Sequence, residues 1–215
     1  MSITVELDKI DIRKLTIDDD TASFDCKEQE LNEYIRDEAK KQQRDGAAVV
    51  YLAWYDAQLV GFVSFNMSSI RFQNIASQHL PSRTPYPYFP ALMIGRVATD
   101  KICQNQGVGR LLCLRAVAMA VRLRREIGCQ FVILNAKKNS IDFYKRCSFE
   151  LGMNQPKRRR TPFMYFKLLD IEYCQKCRRE LEPYAKFCIF CGTEQTPQSS
   201  PSDDPTKSNS TVHPM

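Results

Sequence analysis

The segment Gln104-Asn105-Gln106-Gly107-Val108-Gly109-Arg110 decides the fold, because it lies between an apolar run at 91–98 and a helical pattern at 111–127. A strand, a glycine-containing turn and a helix N-terminus in this order form a typical pyrophosphate site. The glycines let the backbone approach an anion closely, and the first helical turn points its unpaired N–H groups at that anion. The sequence therefore predicts a phosphate-bearing ligand at this turn.

The composition favours one domain of ordinary size with a small appendage. The chain has 215 residues, of which 43% are hydrophobic, and this is enough for a core. No apolar run reaches the roughly 18 residues that a membrane span needs. The first twenty residues are rich in aspartate and do not resemble a signal peptide. We therefore expect a cytoplasmic protein that makes no contact with a membrane.

Positive charge is concentrated in the first 170 residues. They hold 26 Lys and Arg against 19 Asp and Glu, whereas residues 171–194 are neutral and the rest carry −1, which gives the net charge of +6. An excess of this size is compatible with solubility alone and with a face that binds nucleic acid.

The order of the predicted elements favours an α/β fold with a mixed sheet and one long crossover helix. Strand patterns cover residues 3–15, 47–55, 60–65, 91–98, 130–134 and 163–169, and helical patterns cover residues 31–41, 111–127 and 140–146. Four prolines predict a loop at 80–90. We expect a main domain at 1–170, a small module at 171–194 and a disordered tail, rich in Ser and Pro, at 195–215.

Two segments carry a resemblance to a known family. Residues 104–109 have the Gln/Arg-x-x-Gly-x-Gly form of the acetyl-CoA motif of the GNAT acetyltransferase superfamily, and residues 143–149 are similar to its Phe-Tyr-x-x-x-Gly-Phe segment. The resemblance implies a GNAT fold and acetyl-CoA as cosubstrate. It assigns cofactor contacts to Gln104, Asn105, Gly107, Gly109 and Arg110.

The same resemblance implies roles in the chemistry. Tyr144 corresponds to a tyrosine that protonates the departing CoA thiolate, which is sensible because a phenol with a pKa of about 10 keeps its proton near neutrality. The alternative is a tyrosine that only fills the edge of the core. The strand at 91–98 corresponds to one that splays from its neighbour, so that Val97 and Thr99 offer main-chain groups to the pantetheine arm and the thioester carbonyl. No His or Glu is identified as the general base.

A narrower resemblance covers most of residues 5–169. The segment at 24–35 looks like the Phe-x-Cys-Gly-x-x-x-Leu-Asp/Asn-x-Phe/Tyr-Leu segment of the acetyltransferase toxins of bacterial toxin–antitoxin systems, and residues 94–100 and 160–166 are also similar to theirs. Those toxins acetylate the α-amino group of an amino acid carried on tRNA. The resemblance implies charged tRNA as the acceptor, a cognate antitoxin as a partner, and a homodimer as a common assembly. Lys27 and Ser148 stand where the family patterns have glycine.

Several basic residues are candidates for contact with RNA phosphates. They are the basic run Lys157, Arg158, Arg159 and Arg160, the long-helix residues Arg115, Arg122 and Arg125, and Arg96, which lies near the expected acetyl site and could meet the acceptor end of tRNA. The alternative is a solvated loop and a solvated helix face.

Two Cys-x-x-Cys pairs, Cys174 with Cys177 and Cys188 with Cys191, predict a zinc ribbon. Four thiolates at this spacing can surround Zn²⁺ as a tetrahedron, and a segment of this size needs the metal in order to fold. Two disulfides are the alternative, which a cytoplasmic location disfavours. The ribbon could bind RNA, a protein or its own main domain. The other five cysteines are expected to be small buried hydrophobic residues.

Together these features predict an acetyl-CoA-dependent N-acetyltransferase that acetylates aminoacyl-tRNA as a translation-blocking toxin and carries a structural Zn²⁺. Two alternatives stay open at this point. One is an acetyltransferase for a protein or small amine that the ribbon recruits, and the other is a non-enzymatic adaptor for RNA or protein.

Overall fold

The computed structural model describes residues 3–80, 86–154, 161–169, 173–181 and 187–194. The chain divides into two compact units, Met1–Leu168 and Leu169–Met215. Within the described residues, no helix combines the length and the apolar character that a membrane span requires.

The first unit is built on a seven-stranded mixed sheet in the order β1-β2-β3-β4-β5-β7-β6, which confirms the prediction of a mixed α/β fold. The strands are β1 (Asp11–Lys14), β2 (Val49–Tyr55), β3 (Gln58–Arg71), β4 (Tyr88–Thr99), β5 (Phe131–Asn135), β6 (Glu150–Leu151) and β7 (Phe163–Lys167). All neighbouring strands are antiparallel except β4 and β5. A parallel pair needs a crossover connection, and here it contains the long helix α3 (Val108–Glu126).

Other helices flank this frame. The helical pattern at 31–41 corresponds to α1 (Gln29–Glu33), a π-helical turn (Tyr34–Glu38) and α2 (Ala39–Arg44). The short helix α4 (Ile141–Arg146) follows a 3₁₀ turn, Lys138–Ser140. The π-helical turn was not predicted, because hydrophobic spacing does not distinguish it from an α-helical turn.

Three strand predictions differ from the structure. Within residues 3–15 only Asp11–Lys14 forms a strand, and Leu7–Lys9 is a 3₁₀ turn. β4 already begins at Tyr88, so that Pro90 is a strand residue opposite Ser69 and its carbonyl accepts a hydrogen bond from Gln130. β3 extends to Arg71, beyond the predicted residue 65. The prediction ends early because Asn66, Ser68 and Ser69 interrupt the apolar pattern.

The core lies on both faces of the sheet, as the period of two in a strand requires. Ala53 and Val63 face the cluster that contains α3, whereas Leu52 and Phe62 face the cluster that contains the π-helical turn and α2. α3 buries one stripe at helical spacing, with small residues at several of its positions. The buried residues of this stripe are Val108, Leu112, Cys113, Ala116 and Ala120.

The second unit is held by two short chain reversals. Isolated antiparallel bridges join Tyr173 to Glu180 and Phe187 to Glu194. Each reversal contains one of the Cys-x-x-Cys pairs, and the two equivalent reversals are offset by 14 residues along the sequence.

Candidate functional site

A cleft opens where β4 and β5 part. The two strands pair in register from Ala91 with Phe131 to Ile94 with Leu134, and β4 then continues to Thr99 without β5 as its neighbour. The last residues of β4 therefore lack a strand partner on that side, and their main-chain groups can meet a ligand instead. This parting of the strands is the splay that the superfamily resemblance implied.

A β-bulge in the adjacent ladder lies at the same level. Ser64 pairs with Arg96 and Phe65 pairs with Ile94, so Gly95 has no opposite residue. The Ser64 hydroxyl accepts a hydrogen bond of 2.9 Å from the backbone N–H of Arg96. Bulges redirect side chains next to functional sites, and here the bulge sets the direction of Arg96.

The first cavity, which we call the donor cavity, has a volume of about 610 Å³. It brings together all eight residues that the sequence assigned to acetyl-CoA and to its chemistry. These are Val97, Thr99, Gln104, Asn105, Gly107, Gly109, Arg110 and Tyr144. The end of β4, the turn before α3 and helix α4 thus form one wall, although they are up to 47 residues apart in the sequence.

The turn before α3 has the backbone shape that an anion site needs. Asn105 and Gly107 have φ values of 64° and 91°, and Gly107 is the N-cap of α3. Unpaired N–H groups of the first helical turn carry partial positive charge. Gly109 is needed for packing, because a Cβ at this position would lie 3.1 Å from Cζ of Phe143.

Two glutamines stabilise this turn from within. The Gln104 side-chain amide donates hydrogen bonds to the carbonyls of Cys26 (3.2 Å) and Thr99 (3.3 Å). Gln106 accepts from the N–H of Val5 and donates to the carbonyl of Ile3. Gln104 lines the donor cavity, but its side-chain nitrogen donates to these two carbonyls and so holds the turn against the end of β4.

Tyr144 is 8% exposed and lies between two aromatic rings. Its ring centroid is 5.0 Å from that of Phe143 and 5.9 Å from that of Phe149. Burial, together with the nearby sulfur atoms of Cys113 and Cys147, raises the pKa of Tyr144 well above its ordinary value. The phenol therefore keeps its proton over the whole physiological range of pH.

A second cavity of about 470 Å³, the acceptor cavity, adjoins the first. Leu31, Val97, Ser140 and Tyr144 line both. The two cavities thus meet at the main chain of β4 and at the proposed acid, as a transfer between two substrates requires.

Arg96 lines the acceptor cavity. Its guanidinium lies 4.0 Å from the ring centroid of Tyr34, a favourable stacking arrangement. Its Nε is buried and has no hydrogen-bond partner. Within the described part of the chain no carboxylate forms an ion pair with Arg96, so its charge remains available to an anion.

An ion pair crosses the rim where the cavities meet. Lys137 Nζ lies 2.8 Å from a carboxylate oxygen of Glu28, and Glu28 lines the donor cavity whereas Lys137 lines the acceptor cavity. The hydrogen bond with Glu28 raises the pKa of Lys137. The pair joins the start of α1 to the loop after β5.

The other basic residues that were candidates for contact with RNA phosphates lie in different environments. Lys157, Arg158, Arg159 and Arg160 lie outside the described residues. Arg115 does not belong to a solvated helix face, because its guanidinium stacks on Tyr51 at 4.6 Å and its Nε is buried. Arg122 pairs with Glu126 at 3.3 Å on the exposed side of α3.

Lys27 and Ser148, which stand where the family patterns have glycine, both have positive φ values. Their φ values are 69° and 65°, which lie in the left-handed region that favours glycine. Both turns therefore have a backbone conformation that a glycine at these positions would favour.

The sequence did not identify several residues that line the donor cavity. Among them are Cys26, Ser140, Phe143 and Cys147. Cys26, Phe143 and Cys147 lie inside the quoted family-like segments, and this position was the available signal. Ser140 lacks any such signal, since only the turn before α4 brings it to the junction.

The second unit places four sulfur atoms together. The Sγ atoms of Cys174, Cys177, Cys188 and Cys191 all lie within 4.8 Å of one another. Two of these separations are 3.5 Å (Cys174 to Cys191) and 3.6 Å (Cys177 to Cys188). A tetrahedron with Zn–S bonds of about 2.3 Å has edges of about 3.8 Å, so this donor set fits zinc.

The backbone of each Cys-x-x-Cys reversal supports the same arrangement. Arg178 and Gly192, each directly after the second cysteine of its pair, have φ values of 60° and 69°. Their N–H groups donate to the carbonyls of Cys174 (2.9 Å) and Cys188 (2.8 Å). Both reversals therefore turn in the same way and present their sulfurs to a common centre.

Several known proteins are similar to this chain. The chain is 26% identical over 145 residues to a tRNA-acetylating toxin of Mycobacterium tuberculosis, and the match covers 67% of this chain and 86% of that protein. The structure of AtaT complexed with acetyl-methionyl-tRNAfMet superposes with a TM-score of 0.65 at 23% identity and covers 72% of this chain and 93% of that one. AtaTR bound with AcCoA gives a TM-score of 0.62 at 24% identity and covers 75% and 95%.

These two solved structures share the fold of the first unit. The model of the acetyltransferase (GNAT) family matches residues 11–149, from β1 to the turn after α4. This match covers more than half of the chain and contains the parted strands, the turn before α3 and Tyr144. The chain therefore belongs to the acetyltransferase (GNAT) family.

Proposed function

We propose that this protein is an acetyl-CoA-dependent N-acetyltransferase that acetylates the α-amino group of aminoacyl-tRNA, and that it blocks translation as a toxin. The observation that carries the proposal is the junction of two cavities at Val97 and Tyr144. Family membership supports the donor, and similarity to a tRNA-acetylating toxin supports the acceptor. A cognate antitoxin is the expected protein partner.

The donor cavity would hold acetyl-CoA in two ways. The turn containing Asn105, Gly107 and Gly109 offers N–H groups and a helix N-terminus to the pyrophosphate, and Arg110 adds a positive charge. The unpaired edge of β4, including Val97 and Thr99, offers main-chain groups to the pantetheine arm. The thioester would then lie near Tyr144, where the two cavities meet.

In the proposed transfer the amine attacks acetyl-CoA directly. The neutral amine attacks the thioester carbonyl carbon, and a main-chain N–H of β4 stabilises the negative charge on the carbonyl oxygen. The C–S bond then breaks, and Tyr144 gives its proton to the departing sulfur. The amine loses a proton to solvent, and Tyr144 is reprotonated from solvent.

The acceptor cavity supplies charge for a nucleic-acid end. Arg96 and Lys137 line it, and Arg96 has no carboxylate partner among the described residues. We infer that Arg96 contacts a phosphate of the tRNA acceptor end. The basic run Lys157, Arg158, Arg159 and Arg160 extends this proposal to the RNA backbone.

The test is acetyl transfer from labelled acetyl-CoA to a pool of charged tRNAs, followed by mild alkaline release and identification of the amino acids. We expect labelled N-acetyl amino acids from charged tRNA and none from uncharged tRNA. Arg96→Gln should raise the KM for charged tRNA with little change in the KM for acetyl-CoA. Label on protein or small amines alone would overturn the assignment of the acceptor.

For the second unit, we infer that Cys174, Cys177, Cys188 and Cys191 hold one structural Zn²⁺. The support is the spacing of the four sulfurs and the repeated turn geometry. Four protein ligands complete the coordination shell, so this site offers no open position for catalysis.

A further inference from the structure

Two irregularities of the backbone meet at the side chain of Arg96. One is the β-bulge at Gly95 in the ladder of β3 and β4, and the other is the π-helical turn Tyr34–Glu38 between α1 and α2. Both kinds of irregularity interrupt regular hydrogen bonding, and both are frequent at functional sites. Their meeting at one residue of the acceptor cavity is a sign that the Arg96 side chain is held in place for a ligand.

The bulge decides on which face of the sheet Arg96 lies. Ile94 packs in the cluster that contains α3, and in a regular strand the residue two positions later would lie on the same face. Because Gly95 is the extra residue of the bulge, Arg96 lies instead over Tyr34, which belongs to the cluster on the opposite face. Without the bulge the guanidinium would point towards α3.

Tyr34 comes from the same helix as two residues of the acceptor cavity. Glu30 and Leu31 line that cavity, and the N–H of Tyr34 donates to the carbonyls of both. Residues three and four apart share one face of a helix. Tyr34 is therefore the next residue on the face of α1 that lines the acceptor cavity.

Several contacts hold Arg96 in this position. The Arg96 guanidinium lies 4.0 Å from the ring centroid of Tyr34, and its backbone N–H donates to the Ser64 hydroxyl. Tyr34 is 1% exposed and packs on the ring of Phe62 at a centroid distance of 5.8 Å. A Cβ in place of Gly95 would lie 3.0 Å from the Ser64 Oγ, so glycine leaves this hydrogen bond undisturbed. A side chain that is already held in this way loses little further freedom when it binds an anion.

The stacked guanidinium still has donors to offer. Its Nε has no hydrogen-bond partner among the described residues. Stacking uses the face of the guanidinium plane and leaves the N–H groups at its edge, where they match the oxygens of a phosphate. In an aminoacyl-tRNA the carboxyl group of the amino acid is esterified, so the anions nearest to the amine are the phosphates of the terminal nucleotides.

We infer that Tyr34 is a positioning residue for the acceptor. Its ring holds the Arg96 guanidinium so that the N–H groups meet a phosphate of the terminal nucleotides of charged tRNA. The inference rests on the proposed function, which places charged tRNA in the acceptor cavity. Tyr34 acts through Arg96 and takes no part in the transfer itself.

The test compares two acceptors that carry the same amino acid, namely charged tRNA and aminoacyl-adenosine, which has the α-amine but no phosphate. Tyr34→Leu removes the stacked ring and should raise the KM for charged tRNA about tenfold, the value of one charge-assisted contact. The KM for aminoacyl-adenosine and the KM for acetyl-CoA should stay unchanged. Tyr34→Phe keeps the ring and should keep the native KM for charged tRNA.

The chain offers a matched control for the loss of a stacked ring. The Arg115 guanidinium stacks on Tyr51 at 4.6 Å, and neither residue lines either cavity. Tyr51→Leu should therefore leave the KM for both acceptors unchanged, although it also removes a ring from beneath an arginine.

A second variant leaves the buried ring in place. Arg96 is only partly buried, and Arg96→Lys keeps the positive charge but loses the planar group that stacks and binds phosphate with two donors. It should raise the KM for charged tRNA about as much as Arg96→Gln does. Salt dependence adds a count of phosphate contacts. The slope of the logarithm of the binding constant for charged tRNA against the logarithm of salt concentration should fall by about 0.7 in Tyr34→Leu and in Arg96→Gln.

Three results would overturn this inference and leave the proposed function in place. They are a native KM for charged tRNA in Arg96→Lys, an unchanged salt slope in Tyr34→Leu, and equal losses with both acceptors in Tyr34→Leu. Failure of the native chain to acetylate any charged tRNA would overturn the proposed function and this inference together.

Discussion

The two units of this protein differ in how much apolar structure they bury. The first unit buries long apolar stripes on both faces of a seven-stranded sheet. In the second unit the buried described residues are Cys174, Leu181 and Cys188, whereas Tyr173, Phe187, Ile189 and Phe190 are exposed. A segment with so small an apolar core cannot offset its loss of chain entropy. Cysteine therefore has two roles in this chain. It is a buried packing residue in the first unit and a proposed metal ligand in the second.

Removal of zinc is the largest expected perturbation, and the two units should respond to it differently. Metal binding to such sites provides about 10–16 kcal/mol of apparent free energy at neutral pH. A strong chelator should therefore unfold the second unit and leave the thermal transition of the first unit in place. Amide hydrogen exchange resolved by residue measures both units in one sample.

The matched variants for this test are Cys188→Ser and Cys103→Ser. Zinc content should fall from one ion per chain to none in Cys188→Ser and stay at one in Cys103→Ser. A chain that contains no zinc as purified, and whose second unit shows the same exchange with and without chelator, would contradict the proposal.

The next largest effect is a loss of turnover on removal of the proposed general acid, which lies in the first unit. Tyr144→Phe should lower kcat by about 10²–10⁴-fold, because it removes the general acid, and should leave acetyl-CoA affinity and zinc content unchanged. Tyr51→Phe is the control, since Tyr51 is also partly buried but lines neither cavity. Unchanged turnover in Tyr144→Phe would reduce this tyrosine to a packing residue.

The pH dependence of the same enzyme should show only one limb between pH 6 and pH 9. Because burial raises the pKa of Tyr144, the acid form is present throughout this range. The acceptor amine must lose its proton, and an ordinary α-amino group has a pKa of about 7.7–8.0. We therefore expect kcat/KM to rise with pH through this region and then to level off. A fall in kcat/KM below pH 9 would show that another group controls the rate.

A core substitution should destabilise the first unit without affecting the second. Leu112 is 0% exposed and Leu114, on the same helix, is 55% exposed. Leu112→Ala should lower the free energy of unfolding by about 3 kcal/mol, and Leu114→Ala by less than about 0.5 kcal/mol. Urea unfolding measures both, and zinc content should be unchanged. Equal effects of the two variants would show that α3 does not form the core.

A smaller effect should come from the ion pair of Arg13 with Asp19. The Asp19 side chain is 6% exposed, accepts bonds from Arg13 and Thr16, and has a pKa lowered to about 2 chiefly by the hydrogen bond with Arg13. Because the folded value lies below the ordinary 3.8, this stabilisation is present above about pH 4 and is lost as the pH falls towards 2. Asp19→Asn should lower the free energy of unfolding by about 2 kcal/mol at neutral pH. It should also weaken the dependence of that free energy on pH between about pH 4 and pH 2.

The control for this ion pair is Asp11→Asn, because Asp11 is 69% exposed and 3.8 Å from Arg13. Its effect on the free energy of unfolding should be below about 0.5 kcal/mol at any pH. A similar loss of stability in both variants would contradict the assigned role of Asp19.

The smallest effect is a gain. Ser148 has a φ of 65°, a conformation that costs a residue with a side chain about 1 kcal/mol. Glycine avoids this cost, but its more flexible unfolded chain offsets part of the gain. Ser148→Gly should therefore raise the free energy of unfolding by about 0.5 kcal/mol, whereas Ser140→Gly, with a φ of −105°, should lower it. Destabilisation by Ser148→Gly would show that the serine side chain makes a contact that glycine loses.

Three features could be predicted from the sequence alone. They are the mixed α/β class, the turn before α3 and the two cysteine pairs. In each case the determining interactions are local. Glycine is favoured where φ is positive, as at Gly107. The helix α3 follows from apolar residues at a spacing of three and four, and two Cys-x-x-Cys pairs need only short reversals to gather four sulfurs.

Which of these elements pack against one another is seen only in the tertiary structure. Three features depend on residues that are distant in the sequence. They are the parting of β4 from β5 after Ile94, the bulge at Gly95 and the ion pair of Glu28 with Lys137. Helical periodicity makes Arg115 a candidate for contact with RNA, with a solvated helix face as the alternative, but Tyr51 on β2 lies beneath its guanidinium. Periodicity describes one element at a time, whereas burial, pKa and the meeting of two cavities depend on which elements pack together in the folded chain.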